Sequence, residues 1–249
     1  MLGDFLKRQD TDVALLQEAS HTEFTTIHEC NAVVNEGTDK SWTAILAKTG
    51  HHLQNIKRFP SGRGFAAMFQ GIWIINVYAP SGAEKRLERE WFFNNDVTFL
   101  LPTDSADVII AGDFNCAISS ADCTGKHTTS RAIVTLIKGI GLRDVWETNP
   151  HIPAYTHYTN DGASRTDRIY ITAPLKRRKQ RAETVAAAFN DHFAVIVRTA
   201  LEGTRMIRRA RVWRMNITRL EESSFRGIIK EKWGKWQRYV WYYPNEVTL

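Results

Sequence analysis

The chain has 249 residues, 43% of them hydrophobic and 24% charged, which is ordinary for a globular protein. This length allows one α/β domain with a sizeable core plus an appendage. The composition argues against a membrane channel or a disulfide-stapled secreted domain. No apolar run is long enough to span a bilayer, the first ten residues lack a signal-peptide core, and the three cysteines lack metal-ligand spacing. We therefore expect a reducing, intracellular environment.

The positive charge is unevenly distributed. Residues 200–249 contain 11 Lys and Arg against 5 Asp and Glu, whereas residues 1–199 contain 22 of each, so the last fifth of the chain carries the whole net charge of +6. A second basic cluster lies at 176–181. Clustered positive charge favours a polyanionic partner, with nucleic acid as the first candidate and a plain solvated surface as the alternative.

Short apolar strands and helices alternate through the first half of the chain. In chain order, the pattern predicts a helix over 1–9, buried strands over 12–17 and 42–47, and a hairpin of strands 64–69 and 72–77 around Gln70-Gly71. A helix over 84–100 follows, with Leu87, Trp91, Phe92 and Val97 expected on one buried face.

The same alternation continues to residue 200. The pattern predicts a buried strand over 107–111, a glycine-terminated helix over 131–141, a loop over 176–181, and strands over 168–172, 185–189 and 194–197. The expected class is α/β or α+β with mixed sheets in layers.

The sequence changes character after about Gly203. Five arginines fall within 205–214, Thr218 to Glu221 has the spacing of a capping box, and apolar residues then recur at helical spacing through 220–240. We therefore predict a domain over 1–200, followed by a linker-like basic arm and amphipathic helix over 201–249.

Acidic and polar residues follow three of the predicted strands. Glu18 ends the first buried run, Asp113 and Asn115 end the run at 107–111, and Asp191 and His192 follow the run at 185–189. Sites gather at strand ends in α/β sheets, where loops are held by a rigid scaffold. Converging carboxylates repel unless a cation offsets them, and Mg²⁺ prefers such oxygen ligands. An adjacent histidine adds a group that can move a proton near neutral pH.

Each of these residues has a structural alternative when taken alone. Glu18 has the position of a turn residue or helix cap. Asp167 lies beside Arg165 and Arg168 and could simply pair with them, and His192 could be an ordinary hydrogen-bonded histidine. Their joint order along the chain is what favours a catalytic site.

That order resembles the endonuclease/exonuclease/phosphatase superfamily, whose fold is that of DNase I and exonuclease III. The matching landmarks are Leu16–Glu18, Asn76–Pro80, Gly112–Asn115, Thr166–Tyr170 and Asn190–His192. The resemblance implies a four-layered α/β sandwich of two packed mixed β-sheets flanked by helices. Within the superfamily, the chain looks most like the endonuclease of LINE-type, non-LTR retrotransposons. Residues 212–216 and the helix behind them look like the segment that leads to a reverse transcriptase.

The resemblance also implies a role for each site residue. Glu18, Asp113 and Asp191 would hold Mg²⁺, with Mn²⁺ as an alternative, and Asp113 would also orient the attacking water. Asn115 and Tyr78 would contact the scissile phosphate.

The remaining roles concern the histidine and the substrate. Asp167 would pair with His192 and fix its tautomer, and His192 would stabilise charge on the phosphate or handle a proton. Thr156 would lie near the DNA. For Lys176, Arg177 and Arg178 we predict contacts with the DNA backbone, with a solvated loop or a nuclear localisation signal as alternatives.

The implied activity is metal-dependent nicking of double-stranded DNA to leave a 3′ hydroxyl that can prime reverse transcription in the nucleus. The RNA of the element and a downstream reverse transcriptase domain, which this chain does not contain, are further expected partners. An abasic-site repair endonuclease, an inactive nucleic-acid-binding remnant and a small-molecule phosphatase are the alternatives. The family pattern also has a first strand carrying an asparagine, which is missing here, and a serine where this chain has Asn190.

Overall fold

The computed structural model describes most of the first 200 residues: 2–19, 27, 30–37, 42–103, 106–125, 129–147, 155–160, 162–187 and 191–200. Contacts divide the chain into two units, Met1–Thr204 and Arg205–Leu249. In the second unit only Gly227 and Lys230 are described, and both are helical. The predicted basic arm lies outside the described residues, so the linker-like character of 201–249 stays a prediction. None of the described helices is both long and apolar enough to cross a membrane.

The first unit contains most of the helices and strands that the alternating pattern predicts, together with several additional strands. The strand predicted over 185–189 is instead the end of a longer strand, Lys179–Ala186. The strands are β1 (Val13–Gln17), β2 (Cys30–Asn35), β3 (Thr43–Lys48), β4 (Gln54–Arg58), β5 (Gly64–Phe69), β6 (Ile72–Tyr78), β7 (Val108–Asp113), β8 (Arg143–Asp144), β9 (His157–Thr159), β10 (Gly162–Ser164), β11 (Asp167–Ile171), β12 (Lys179–Ala186) and β13 (Phe193–Thr199). The helices are α1 (Leu2–Arg8), α2 (Arg86–Trp91), α3 (Thr98–Leu100), α4 (Arg131–Gly139) and α5 (Ala173–Arg178).

These elements form layers, which confirms the predicted mixed α/β class. A six-stranded sheet has the order β4-β5-β6-β7-β11-β8, and a three-stranded sheet has the order β1-β3-β2. One face of the large sheet packs on the small sheet through residues such as Ile45, Phe65 and Ile74. Its other face is covered by helical residues such as Phe93 and Ile133. Helix α1 covers the outer face of the small sheet.

The β5–β6 hairpin explains how the centre of the large sheet is set in register. Gln70 and Gly71 both have positive φ, 50° and 78°, as a type I′ turn requires. Phe69 therefore pairs with Ile72, and the register runs on to place Gly64 opposite Val77. Strand β6 continues to Tyr78, which brings this tyrosine to the edge where the candidate site lies.

One buried amide joins the two sheets. The Asn76 side chain donates to the carbonyl oxygens of Leu16 and Ala44, each at 2.9 Å, and accepts from the Gln17 amide at 2.6 Å. Asn76 is fully buried, so truncating it leaves these partners without their hydrogen bonds in the interior.

We expect Asn76→Ala to lower the free energy of unfolding by roughly 2–4 kcal/mol. The buried groups that Asn76 contacts would lose these hydrogen bonds and could not replace them with bonds to water. Asn31→Ala is the matched control, since the exposed Asn31 amide makes one bond, to the carbonyl of His51. Urea unfolding of both variants measures the difference, and equal midpoints would contradict a bridging role for Asn76.

The predicted buried face of the helix at 84–100 is wrong in its first half. Leu87 is 83% and Trp91 57% exposed, whereas Arg89 is buried and donates to the carbonyls of Pro80 and Gly82. A π-helical turn over Phe92–Val97 then inserts an extra residue and rotates the following side chains. A uniform 3.6-residue period therefore assigns the wrong residues to the core.

Candidate active site

Strand topology brings the candidate residues to one end of the large sheet. Strands β6 and β7 are parallel, so Tyr78 and Asp113, their last residues, lie in register. Strand β11 is antiparallel to β7, so Asp167, its first residue, lies opposite Asp113. Three residues far apart in sequence thus become neighbours through strand pairing alone.

The end of β7 has a backbone that its sequence explains. Gly112 has φ +141°, and a Cβ at this position would lie 2.0 Å from the Val77 carbonyl oxygen, so only glycine fits. Asn115 adopts a left-handed φ of 47°, which asparagine tolerates better than most residues. The Asn115 backbone N–H donates to Asp113 Oδ1 at 2.9 Å, and its side-chain Nδ2 donates to the Ala79 carbonyl at 2.9 Å. Both residues are therefore held in place.

Asp167 is the carboxylate partner of His192. Its Oδ2 lies 2.8 Å from His192 Nδ1, which leaves Nε2 for other contacts. The alternative that Asp167 pairs with its neighbouring arginines is not what the structure shows. Arg165 and Arg168 instead form ion pairs with Asp122 and Asp144.

Thr156 lies beneath the site and supports Asp167. Its side chain is fully buried, and its Oγ1 accepts from the backbone N–H groups of Thr166 at 3.3 Å and Asp167 at 3.2 Å. The Phe193 N–H, directly after His192, donates to the Thr156 carbonyl at 2.7 Å. Thr156 therefore links both members of the Asp167–His192 pair, and the predicted contact with DNA is not available to its buried hydroxyl.

Glu18 and Tyr78 form a second pair on the rim of the site. The Tyr78 hydroxyl donates to Glu18 Oε1, and the Arg63 guanidinium lies over the Tyr78 ring at 5.3 Å. Burial, followed by the hydrogen bond and negative charge of Glu18, raises the pKa of Tyr78 well above its usual range, and the nearby Asp113 adds to this rise. Tyr78 is therefore a neutral hydrogen-bond donor at any working pH.

Asp113 and His192 have pKa values that differ from those of the free side chains. Burial, together with the negative charge of Asp167, raises the pKa of Asp113 to about 7. The hydrogen bond that His192 donates to the Asp167 carboxylate raises the pKa of His192 to about 9 against the opposing effect of burial. Near neutral pH, His192 is thus protonated, and Asp113 beside it is close to half-ionised.

The described residues contain two clusters able to hold a metal ion. One is Asp113, Asp167 and His192, and the other is His157, Asp191 and His192; in each, the ligand atoms lie within 4.8 Å of one another. The predicted ligands Glu18, Asp113 and Asp191 do not form a single cluster, because Glu18 faces Tyr78 and Asp191 groups with the histidines.

A hard divalent cation nevertheless fits the chemistry of the donors. Asp113 is buried beside a second carboxylate, and burial, followed by the negative charge of Asp167, raises its pKa. A cation would offset that repulsion, and carboxylate oxygens are the ligands that Mg²⁺ and Mn²⁺ prefer. Asp113 is the one residue of the predicted metal set that also belongs to the buried cluster.

His157 and Arg63 belong to the site but were not predicted from the sequence. The His157 ring lies 4.5 Å from that of His192, tilted by 32°, and the two residues share a β-bridge. Arg63 reaches Tyr78 because the Tyr78 N–H donates to the Arg63 carbonyl at 2.7 Å. Neither contact follows from local sequence, since each depends on the pairing of distant segments.

The predicted DNA contacts of Lys176, Arg177 and Arg178 lie away from this site. The segment is helical, as α5, and not a loop, because Pro174 suits the first turn of a helix. Helix α5 follows Ile171, about 13 Å along β11 from Asp167 at the usual rise per residue. Lys176 pairs with Glu147 and Arg178 with Asp107. Contact between these basic residues and DNA stays a prediction, and they lie apart from the cluster of Asp113, Asp167 and His192.

Comparison with known proteins agrees with this geometry. Residues 1–194 match the Endonuclease/Exonuclease/phosphatase family. A transposon TX1 protein of 149 kDa from Xenopus laevis, itself uncharacterized, is 33% identical over 175 residues, which is 67% of this chain. The match spans only 13% of the length of that relative.

Solved structures share the fold. An AP endonuclease from Archaeoglobus fulgidus superposes with a TM-score of 0.68 at 20% identity, over 81% of this chain and 93% of its own. A 3′ phosphatase from Neisseria, bound to a product DNA hairpin, gives 0.65 at 18% identity, over 80% and 93%. Taken with the strand-end cluster of Asp113, Asp167 and His192, these matches show that the chain belongs to the Endonuclease/Exonuclease/phosphatase family.

Proposed function

We propose that this protein is a divalent-metal-dependent endonuclease that hydrolyses a phosphodiester bond of double-stranded DNA and leaves a nick with a 3′ hydroxyl. The observation that carries the proposal is the grouping of Asp113, Asp167 and His192 within 4.8 Å at one end of the sheet. Hydrolysis of a phosphodiester needs an oriented water, charge neutralisation at phosphorus and help for the leaving oxygen. This cluster contains groups suited to each need.

Asp113 is the group best placed to orient and deprotonate the attacking water. Its pKa of about 7 lets it accept a proton near neutral pH, and its position is fixed by the Asn115 N–H. Asp113, beside Asp167 in the buried cluster, would hold Mg²⁺, and the ion would supply Lewis-acid stabilisation of the phosphate oxygens. The water oxygen bonds to phosphorus and gives its proton to Asp113, the P–O3′ bond breaks, and the leaving 3′ oxygen takes up a proton from solvent.

His192 and Tyr78 are the donors for the phosphate. His192 is protonated below about pH 9, and because Nδ1 is bound to Asp167, its Nε2–H can face a phosphate oxygen. Tyr78 remains protonated, and its hydroxyl, which donates to Glu18 in this structure, would turn to the phosphate when DNA is bound. Asp167 is a positioning residue that fixes the ring of His192 and favours its charged form.

The pH dependence of kcat/KM tests these assignments. We expect activity to rise as Asp113 ionises, with a limb at or below about pH 7 because a bound cation favours the carboxylate, and to fall as His192 loses its proton near pH 9. The falling limb should vanish from the residual activity of His192→Ala. Wild-type activity that keeps rising through pH 9 would contradict the role of the imidazolium.

The retrotransposon relative favours nicking of intact DNA over repair. Duplexes with and without a single abasic site, incubated with Mg²⁺, separate the two activities: we expect cleavage of the intact duplex. A product that a DNA polymerase extends without prior phosphatase treatment carries the expected 3′ hydroxyl. Cleavage confined to the abasic duplex would support the repair enzyme, and binding without cleavage would support an inactive remnant. A nuclear site of action and a reverse transcriptase partner belong to the same proposal.

A further inference from the structure

Two histidines lie side by side next to the catalytic cluster. His157 is the first residue of β9, His192 directly precedes β13, and an antiparallel β-bridge joins the two. Residues that are directly opposed in such a bridge have their side chains on the same face. The centroids of the two imidazole rings are accordingly 4.5 Å apart, and the ring planes are tilted by 32°. Backbone pairing therefore brings two nitrogen ligands together.

Backbone hydrogen bonds on both sides hold this histidine pair in position. The Phe193 N–H donates to the Thr156 carbonyl at 2.7 Å, and the Thr156 N–H donates to the Ser164 carbonyl at 2.9 Å. His157 also pairs with Ser164 in the β9–β10 hairpin. The two segments that carry the histidines are thus fixed relative to each other, so little reorganisation is needed for both rings to bind one ion.

Asp191 adds a carboxylate to the two rings. One ligand atom from each of His157, Asp191 and His192 lies within 4.8 Å of the others. Asp191 is exposed and both histidines are half-buried, so an ion can reach the cluster from solvent. The Asp167 carboxylate lies 2.8 Å from His192 Nδ1, an arrangement that orients metal-binding imidazoles and makes Nε2 the ligand atom.

We propose that His157, Asp191 and His192 form a binding site for Zn²⁺. Two imidazoles and one carboxylate are a ligand set that binds zinc and leaves a fourth position for water. Mg²⁺ prefers oxygen ligands, so it favours the neighbouring cluster, which contains the carboxylates of Asp113 and Asp167. The donor atoms thus assign different ions to the two clusters.

Zinc at this site would inhibit the nuclease, an inference that rests on the function proposed above. The zinc site and the catalytic cluster share His192. The Nε2 atom of His192 cannot bind zinc through its lone pair and donate a hydrogen bond to a phosphate at the same time. We therefore expect Zn²⁺ to inhibit nicking in the presence of Mg²⁺, and we expect His157 to determine the sensitivity.

Zinc binding to the full chain tests the site without reference to activity. Protein dialysed after EDTA treatment is titrated with zinc chloride in a calorimeter, alongside His157→Phe and His52→Phe. Phenylalanine keeps an aromatic ring beside His192 but removes the nitrogen ligand, and His52 is an exposed histidine before β4. We expect His157→Phe to weaken zinc binding at least about tenfold, because one of three protein ligands is lost, whereas His52→Phe should bind as wild type does. Asp191→Asn, a conservative change at an exposed residue, should weaken binding as well.

The imidazole NMR resonances of His157 and His192 locate the ion, since both should shift together when zinc is added. Equal zinc affinities of wild type and His157→Phe would overturn the proposal. A loss of affinity in Asp113→Asn but not in His157→Phe would overturn it in favour of zinc bound in the carboxylate cluster.

Nicking in Mg²⁺ with increasing zinc tests the inhibition, with each protein compared with its own rate without zinc. Half-inhibition of wild type should occur near the Kd for zinc, and His157→Phe should require at least about tenfold more zinc. Equal sensitivity of the two proteins would overturn inhibition through His192. If neither protein nicks DNA while zinc still binds through His157, the proposed function fails, and the inhibition with it, but the zinc site stands.

Discussion

Asp113→Asn is expected to reduce metal-dependent nicking by about 10³-fold and yet make the metal-free protein more stable at pH 8. The loss follows because Asn cannot accept a proton from water and is a weaker ligand for a cation. The gain follows because the substitution removes a buried negative charge beside Asp167. Opposite effects on activity and stability are expected where a charged group that activity needs also destabilises the folded protein.

The sign of the stability effect depends on pH. Burial and Asp167 raise the pKa of Asp113 from 3.8 to about 7 in the folded protein. Ionised Asp113 therefore destabilises the fold, with a penalty that grows as pH rises from about 4 and is complete above about 7. We expect Asp113→Asn to gain on the order of 2 kcal/mol at pH 8, and little at pH 4.

Urea unfolding in EDTA at these two pH values measures the gain, and Asp107→Asn is the matched control. Asp107 lies just before the start of β7, at the opposite end of the strand from Asp113, where it pairs with Arg178. Nicking by this control should stay within about twofold of wild type, since exposed or partly exposed pairs contribute little. If Asp113→Asn is less stable than wild type at pH 8, the claim that ionised Asp113 destabilises the fold is wrong.

The largest loss of stability is expected from Arg168→Met. The Arg168 side chain has 0% exposure and lies 2.8 Å from Asp122 and 3.6 Å from Asp144. Removing the guanidinium leaves these two largely buried carboxylates with one fewer cation, and breaking such a pair costs roughly 3–5 kcal/mol. The two carboxylates tie the loop after β7 and the turn after β8 to β11, so the supporting side of the site loosens as well.

Lowering the pH should reduce the loss of stability caused by Arg168→Met. Although burial opposes its ionisation, the charges of Arg168 and Arg165 hold the pKa of Asp122 at about 2. The stabilisation by the Asp122 pair is therefore present above about pH 4 and lost as pH falls towards 2, so wild type and Arg168→Met should converge in acid.

Unfolding at pH 7 and pH 3 tests this, with Arg143→Ala as control because Arg143 forms an exposed pair with Glu147, at 3.6 Å. The control should lose less than about 1 kcal/mol. Equal losses for the two arginine variants would show that burial of the Arg168 network is unimportant.

Sequence patterns predicted an element correctly where the conformation that its residues prefer locally is also the one that the fold requires. The Gln70-Gly71 turn predicted the β5–β6 hairpin, because a type I′ turn needs two residues that tolerate positive φ. Strand β7 was predicted from the apolar run at 107–111. The Gly112-Asp113 pair that follows this run predicted that candidate site residues lie at the end of the strand. Strand order then brought Asp167 and Tyr78 to Asp113, in agreement with the resemblance.

Features that depend on distant contacts were not predictable. Arg89 is buried because its guanidinium donates hydrogen bonds to the carbonyls of Pro80 and Gly82. The spacing of apolar residues along a helix does not predict such a contact. Thr156 supports Asp167 because the residue before β9 lies against the segment that joins β10 to β11, although the resemblance placed this threonine near the DNA. The basic residues 176–178 were predicted to lie in a loop but form part of α5, and charge alone does not show that Lys176 and Arg178 pair with acids. Their contact with DNA stays a prediction.

Nicking of supercoiled plasmid tests the central claim most directly. The reactions contain wild type with Mg²⁺ or EDTA, His192→Ala, Asp113→Asn, and His52→Ala as a control at an exposed histidine before β4. We predict nicking by wild type and His52→Ala with Mg²⁺, none by wild type in EDTA, and only weak residual nicking by either site variant. Nicking that persists in EDTA, or that stays near the wild-type rate in both site variants as folded proteins, would contradict a metal-dependent nuclease centred on Asp113 and His192.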